Sequence, residues 1–153
     1  MKHDTAHHYR SLLVMTLMSF AAMYFLMYSM VNSFGNVFMN VNNLYMAALM
    51  AAPMVVFELI VMQSMYADAR LNAVFGAAAI FLGVLFFMLI RQQGAVGDRQ
   101  FLRSMIPHHA SAILMCNQAA IQDPEIKDLC GQIVSSQQRE VDQMKARLHE
   151  LGD

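Results

Sequence analysis

Three long apolar segments fill most of the first ninety residues, and short polar connections separate them. They span residues 11–31, 44–62 and 73–90. Each is long enough to cross about 30 Å of hydrocarbon as a helix. The pattern therefore predicts three transmembrane helices. We expect the first to be retained, because its apolar stretch is longer than the core of a secretory signal and no small-residue cleavage site follows cleanly.

Basic residues near these segments predict the orientation of the chain. The first connection, 32–43, contains no Lys or Arg, whereas Lys2 and Arg10 precede the first segment and Arg70 lies in the second connection. The positive-inside rule then places the N-terminus in the cytoplasm and the C-terminal region outside. Three arginines after the third segment favour the opposite orientation: Arg91, Arg99 and Arg103. They lie at the start of a folded region, where basic residues influence the orientation less than in short loops.

The pattern changes after residue 93, where charged residues become frequent and the spacing predicts a helical hairpin. Asp98 is expected to cap a helix that reaches about Ile121, with a kink at Pro107. Asp123 and Pro124 supply an N-cap and a first helical residue for a second helix, which ends near Leu151. We therefore divide the chain into a membrane domain, 1–93, and a water-exposed domain, 94–153.

Folding this hairpin about Asp123 predicts which side chains face each other. The expected neighbours are Cys116 with Cys130, His109 with Gln137, and Met105 with Val141 and Met144. A pair of helices within roughly 60 residues buries little surface alone. The predicted fold is all-α, with three transmembrane helices and a hairpin that completes a four-helix bundle by forming a homodimer or higher homo-oligomer.

Composition supports a membrane protein and adds a chemical clue. The chain is 58% hydrophobic and 14% charged, against roughly 25% charged in typical soluble domains. A net charge of −1 and the lack of a basic run argue against nucleic-acid binding. The chain contains 16 Met, and thioether sulfur is a soft metal ligand.

The strongest local cluster lies in the first hairpin helix. Met105, His108, His109 and Met115, with Cys116 beside them, share one face at helical spacing. Imidazole, thioether and thiolate suit copper, Cu(I) above all, with Cu(II) possible. The alternative is that the methionines fill the core and the histidines are ordinary surface residues.

The C-terminal part resembles the bacterial family named domain of unknown function 305. The resemblance covers about the last 55 residues and is carried by Asp98, Phe101, Met105, Ile106, Pro107, His108, His109, Ala112, Met115, Asp123, Ile126, Leu129, Ile133, Gln137, Glu140 and Met144. It implies a ferritin-like helical arrangement, usually exported, and copper binding or tolerance. The implied location is the bacterial inner membrane, with the hairpin in the periplasm.

Carried over by position, the resemblance implies a set of copper ligands. They are Met105, His108, His109, Met115 and Met144, with Glu140 as a ligand or as an acceptor for a histidine N–H. Many members carry two copies of the hairpin, and this chain has one. That difference supports dimerisation and leaves open whether the site lies within a subunit or between subunits.

Several other residues have two or more interpretations. Cys116 and Cys130 form a disulfide, bind copper or are simply buried thiols. His3, behind a free amine, is either a Cu(II) site or part of a solvated tail. Glu58 in the second segment is functional or structural, with Arg70 or an asparagine of the first connection as its partner.

Side chains within the predicted spans add one further alternative. One stripe of methionines comprises Met23, Met27 and Met30, and another comprises Met46, Met50 and Met54. These stripes either pass Cu(I) from one thioether to the next or only pack against lipid and neighbouring helices. Ala79 and Gly83 suit close contact between helices.

Three functional hypotheses follow from these observations. The leading one is a copper-binding protein anchored in the lipid bilayer, which sequesters or delivers the ion. The second is a copper permease that uses the methionine stripes, and the third is an assembly module without metal. Because no catalytic motif is visible, we do not expect an enzyme.

Overall fold

The computed structural model is helical, and it describes the backbone of residues 2–152 and the side chains of residues 7–152. Within that part of the chain there is no β-strand, and the all-α prediction is confirmed. The elements are α1 Lys2–Leu26, α2 Val41–Val61, α3 Ala69–Gln92, α4 Asp98–Gln118 and α5 Pro124–Glu150, with 3₁₀ turns at Met27–Met30 and Phe34–Asn36.

Three stretches are long and apolar enough to cross a membrane. They are His7–Met30, Val41–Val61 and Ala69–Gln92. The predicted spans are confirmed, with ends that differ from the prediction by one to four residues. The polar residues at the ends continue the helices because backbone hydrogen bonding does not stop where hydropathy falls.

The chain forms two compact units. One contains Met1–Leu26 and Asn42–Gly94, and the other contains Met27–Val41 and Ala95–Asp153. The boundary near Gly94 agrees with the predicted division, but the first connection belongs to the hairpin unit. Phe38 packs against the hairpin core, and the backbone N–H of Val41 donates to Gln100 Oε1 at 3.1 Å.

The membrane unit is held by a core at one end of its three helices. Buried Tyr9 and Leu12 of α1 pack with Val55 and Leu59 of α2 and with Ala79 of α3. Such a core fixes the three helices in one arrangement by close van der Waals contact.

A polar network lies at the same end of this unit. The Tyr9 hydroxyl donates to Asn72 Oδ1 at 2.6 Å, and Asn72 Nδ2 donates to the Tyr66 carbonyl at 2.8 Å. The Tyr66 hydroxyl in turn donates to Glu58 Oε1 at 3.2 Å. The expectation that Arg70 or an asparagine of the first connection would be the partner of Glu58 is therefore wrong. The loop between α2 and α3 folds Tyr66 back onto the carboxylate.

Helices α2 and α3 approach closely where both carry small residues. A Cβ added at Gly83 would lie 3.5 Å from the Cβ of Ala52, and Ala79 is buried one turn earlier. This confirms the contact predicted from Ala79 and Gly83. Met46 and Met50, by contrast, are exposed on the face of α2 away from these packed residues.

The hairpin unit is built around α4 and α5. Its buried core comprises Ile106, Ile113, Val141 and Leu148. The Asp123 carboxylate accepts hydrogen bonds from the N–H groups of Glu125 and Ile126, as predicted for an N-cap.

The start of α4 differs from the prediction. Gly97 is the N-cap and makes no side-chain hydrogen bond, while Asp98 is the first helical residue. The Asp98 carboxylate therefore interacts favourably with the positive end of the helix dipole, and it does not cap the helix. The helix continues through the buried Pro107, whose carbonyl accepts a hydrogen bond from Ser111 Oγ at 2.9 Å.

Candidate metal site

One polar pair joins the two hairpin helices near the middle of their contact. His109 of α4 is buried, and its Nε2 lies 2.8 Å from Glu140 Oε2 on α5. Its Nδ1 lies 3.0 Å from the carbonyl oxygen of Met105, one turn earlier. Gln137, the predicted neighbour of His109, lies one turn before Glu140 on α5, and the hydrogen bond of His109 to α5 is made with Glu140.

The hydrogen bonds of His109 define the chemical state of this pair. A backbone carbonyl only accepts, so Nδ1 carries a proton. Nε2, the second ring nitrogen, faces the Glu140 carboxylate. A metal ion at Nε2 must therefore replace the hydrogen bond to Glu140.

The other histidine of the predicted cluster points elsewhere. His108 is exposed, and its ring makes an edge contact with the ring of His109 at 5.8 Å between centroids. Met115 is also exposed. Consecutive helical residues differ in direction by about 100°, so His108 and His109 cannot both face α5. The structure therefore separates the predicted ligands into an inner and an outer set.

The inner set consists of His109, its partner Glu140 and the methionines one helical turn away from each of them. Met105 lies one turn before His109 on α4, and Met144 lies one turn after Glu140 on α5. Both are partly buried, and Met144 packs against the hairpin core. Among the described residues, no three side chains of the types His, Cys, Asp or Glu come together. One chain thus offers a histidine and a carboxylate, with one methionine a helical turn away along each helix, and not a closed set of four hard or borderline ligands.

Gln137 carries a buried oxygen that the sequence analysis did not single out. Its Oε1 is buried and has no hydrogen-bond partner within the described residues. Gln137 lies one turn before Glu140 on the same helix. A buried acceptor without a donor is costly, and a cation or a water molecule would satisfy it.

The two cysteines form a disulfide at the closed end of the hairpin. Cys116 and Cys130 are bonded, with their Cα atoms 5.3 Å apart. Of the three interpretations, the disulfide is confirmed. In this oxidised state neither sulfur is a thiolate, so the cysteines are not available as copper ligands.

The N-terminal candidate site lies outside the described side chains, which begin at residue 7. His3 therefore remains a prediction. His7 and His8 are described, with ring centroids 6.1 Å apart.

The fold defines the class of the protein, a helical hairpin and three apolar helices in one chain. Comparison with known proteins identifies the family. The family model named Domain of unknown function (DUF305) matches residues 86–148. The chain is 33% identical over 142 residues to an uncharacterized protein of Acanthamoeba polyphaga mimivirus, covering 91% of each protein. No solved structure matches. The chain belongs to the DUF305 family.

The viral relative extends the similarity beyond the hairpin. Because the alignment covers 91% of this chain, it includes residues of the apolar helices as well as of α4 and α5.

Proposed function

We propose that this protein is a membrane-anchored copper-binding protein that sequesters the ion or hands it to a partner, without catalysing a reaction. The observation that carries the proposal is the buried imidazole of His109 with its Nε2 beside the half-exposed carboxylate of Glu140. A metal ligand of this kind is fixed in orientation by its other ring nitrogen, which here is held by the carbonyl of Met105.

The residues around this pair fit copper better than other common ions. Imidazole and thioether bind copper, whereas Mg²⁺ and Ca²⁺ require oxygen ligands. Structural zinc normally takes four ligands of the types Cys, His, Asp or Glu, which the described part of one chain does not bring together. The unpartnered Oε1 of Gln137 adds an oxygen donor one turn from Glu140.

The exposure of Glu140 defines a route for the ion. Its side chain is 53% exposed, while that of His109 is 10% exposed. An ion arriving from water therefore meets the carboxylate first. Movement of this one exposed side chain frees Nε2, and the hairpin core stays packed.

The disulfide supports an exported location for the hairpin. Disulfides persist in oxidising compartments and are rare in the cytosol. For a bacterial host we propose the inner membrane, with the hairpin in the periplasm. After reduction, a membrane-impermeant thiol reagent should label Cys116 and Cys130 in intact cells. Labelling that requires lysis would place the hairpin inside.

The assembly hypothesis is the second candidate, and one observation favours it. Both ring nitrogens of His109 already have hydrogen-bond partners, as in a purely structural pair that joins α4 to α5. We do not propose the permease hypothesis, because Met46 and Met50 are exposed in one chain and are not packed between its helices.

Copper competition on the purified full-length protein tests the proposal. A His109→Gln variant should bind copper about 10- to 100-fold more weakly, as expected for loss of a ligand or its support. His149→Gln is the matched control, because His149 is an exposed histidine at the end of α5. Unchanged copper affinity in His109→Gln, together with a less stable hairpin, would reject the copper site and favour assembly.

A further inference from the structure

One side of the hairpin carries exposed apolar residues at a regular spacing. On α4, five positions alternate in steps of four and three residues: Phe101, Met105, His108, Ala112 and Met115. Phe101 is 50% exposed and Met115 is 55% exposed. Steps of four and three are the spacing with which one helix packs along another.

A second stripe runs along α5 with the same spacing. Its positions are Ile126, Leu129, Ile133, Ser136 and Glu140. Ile126 and Leu129 are about half exposed. The hydrogen bond between His109, which adjoins the first stripe, and Glu140 shows that the two stripes lie on the same side of the hairpin. We call these ten positions the open face.

The opposite flank of the hairpin is already covered by the first connection. Phe38 packs against the core, and Val41 is hydrogen-bonded to Gln100 of α4. Gly35 lies close to Lys145 of α5, since a Cβ added at Gly35 would lie 3.9 Å from Nζ of that lysine. The hairpin therefore has one covered side and one uncovered apolar side.

We propose that a second copy of this chain covers the open face, and that the partner's His108 completes the metal site formed by His109 and Glu140. This inference rests on the proposed function, since it assigns the missing ligand of the same site. His108 and Met115 are excluded from the site of their own chain, and both lie on the open face.

The chemistry of the open face favours a second copy as its occupant. Its only ionisable side chains are His108 and Glu140, an imidazole and a carboxylate that can hydrogen-bond to each other when the face meets itself. All copies in a membrane share one orientation, so a two-fold axis normal to the bilayer brings identical faces together. A hairpin with four fully packed core residues also gains buried surface from such a partner.

Subunit complementation in the full-length protein tests this arrangement. His108→Ala and His109→Gln subunits are co-expressed with different affinity tags, and mixed dimers are isolated by two successive purifications. Each single variant alone should lose most of its copper. The mixed dimer contains one site with both histidines and should recover about half of the wild-type copper content. A site within one chain would recover none.

The assembly itself has an independent readout. Leu129→Glu places a charge on the open face and should shift the mass of the detergent-solubilised protein from dimer to monomer. Phe34→Ser is the matched control, because Phe34 is 98% exposed in the hairpin unit but lies outside the open face. Circular dichroism checks that each variant retains its helices, which we expect because both replaced side chains are exposed.

The outcomes separate this inference from the proposed function. Wild-type protein that binds no copper rejects the proposed function. Wild-type protein that binds copper, while His108→Ala binds it equally well or the mixed dimer recovers none, rejects the shared site alone. A Leu129→Glu protein that remains dimeric rejects the open face as the interface.

Discussion

His109 and Glu140 are separated by 31 residues in the chain, and their side chains meet at 2.8 Å between Nε2 and Oε2. The pair links α4 to α5 midway along the hairpin, while Cys116 and Cys130 link the same helices near the turn. The carboxylate of the first link is half exposed in the single chain, and the second link is covalent. The hairpin is thus closed at its tip and adjustable at the candidate site.

Replacement of Glu140 by Gln should weaken copper binding by about tenfold. The amide keeps the size and can still accept a hydrogen bond from Nε2, but it loses the charge. Charge-assisted hydrogen bonds are about twice as strong as neutral ones, so we also expect the hairpin to lose about 1 kcal/mol. Chelator competition and denaturant unfolding of the full-length protein measure the two effects.

Glu150→Gln is the control for that variant. Glu150 is exposed on the same helix and pairs with Arg147 at 2.6 Å. Exposed pairs contribute about 0–1 kcal/mol, and this one lies far along α5 from His109. If both glutamine variants reduce copper affinity equally, the effect is one of net charge and Glu140 has no special role.

Removal of the disulfide should destabilise the hairpin without unfolding the membrane unit. Cys116 and Cys130 are 14 residues apart in the chain, and closing a loop of that length contributes about 3 kcal/mol in the chain-entropy account. The Cys116→Ser, Cys130→Ser double variant should therefore unfold at lower denaturant concentration by circular dichroism. An equal midpoint for the oxidised wild type, the reduced wild type and the double variant would contradict this.

Gly83→Leu should disturb the contact between α2 and α3. A Cβ at this position meets Ala52 at 3.5 Å, and the rest of the leucine side chain has to enter the same contact. Overpacking of this kind costs about 1–3 kcal/mol. Gly76→Leu is the matched control on the same helix, because nothing lies within 4 Å of a Cβ there. Thermal stability in detergent should fall for Gly83→Leu, and equal stability of the two variants would show that the contact is not tight.

The phenol of Tyr66 should titrate at higher pH than an ordinary tyrosine. Burial raises the pKa of Tyr66 above 10.0, and its hydrogen bond to Glu58 raises it further. The folded protein therefore holds this proton more tightly than the unfolded chain. The resulting stability is complete below about pH 10 and is lost as pH rises through the folded-state pKa.

The difference in tyrosinate absorbance between wild type and Tyr66→Phe measures that titration. Tyr66→Phe removes the hydroxyl and keeps the ring beside Tyr9, whose centroid is 5.3 Å away. The variant should lose the part of the alkaline destabilisation that Tyr66 causes. A Tyr66 titration at the ordinary tyrosine pKa would contradict the buried hydrogen bond to Glu58.

Local patterns in the chain were sufficient for most of the secondary structure. Hydropathy predicted the three spans, and Asp123 with Pro124 predicted the start of α5, because these signals depend on neighbouring residues alone. The pairing of Cys116 with Cys130 was also predictable, since a short turn permits few registers close to it. Farther from the turn, the hydrogen-bond partner of His109 was not predicted: it is Glu140, one turn after Gln137.

The contacts of the first connection could not be predicted in this way. Phe38 is one aromatic residue in a polar segment, and nothing near it in the chain indicates that it joins the core of a hairpin that begins some sixty residues later. The partner of Glu58 was missed for the same reason. The loop between α2 and α3 folds back and brings the Tyr66 hydroxyl to the Glu58 carboxylate. An uncharged residue such as Tyr66 is not indicated by the pattern of charges.

The amino-acid sequence by itself determined the class of the protein, three apolar helices and a hairpin that carries imidazole and thioether side chains, because hydropathy, helical periodicity and side-chain chemistry are properties of the residues. Only the tertiary structure decided which of these side chains lie together. Helical geometry directs His109 toward Glu140 and leaves His108 and Met115 outside, since adjacent residues on a helix cannot face the same neighbour. That division follows from the rotation of α4 about its axis, which is set by the packing of Ile106 and Ile113 against Val141 and Leu148.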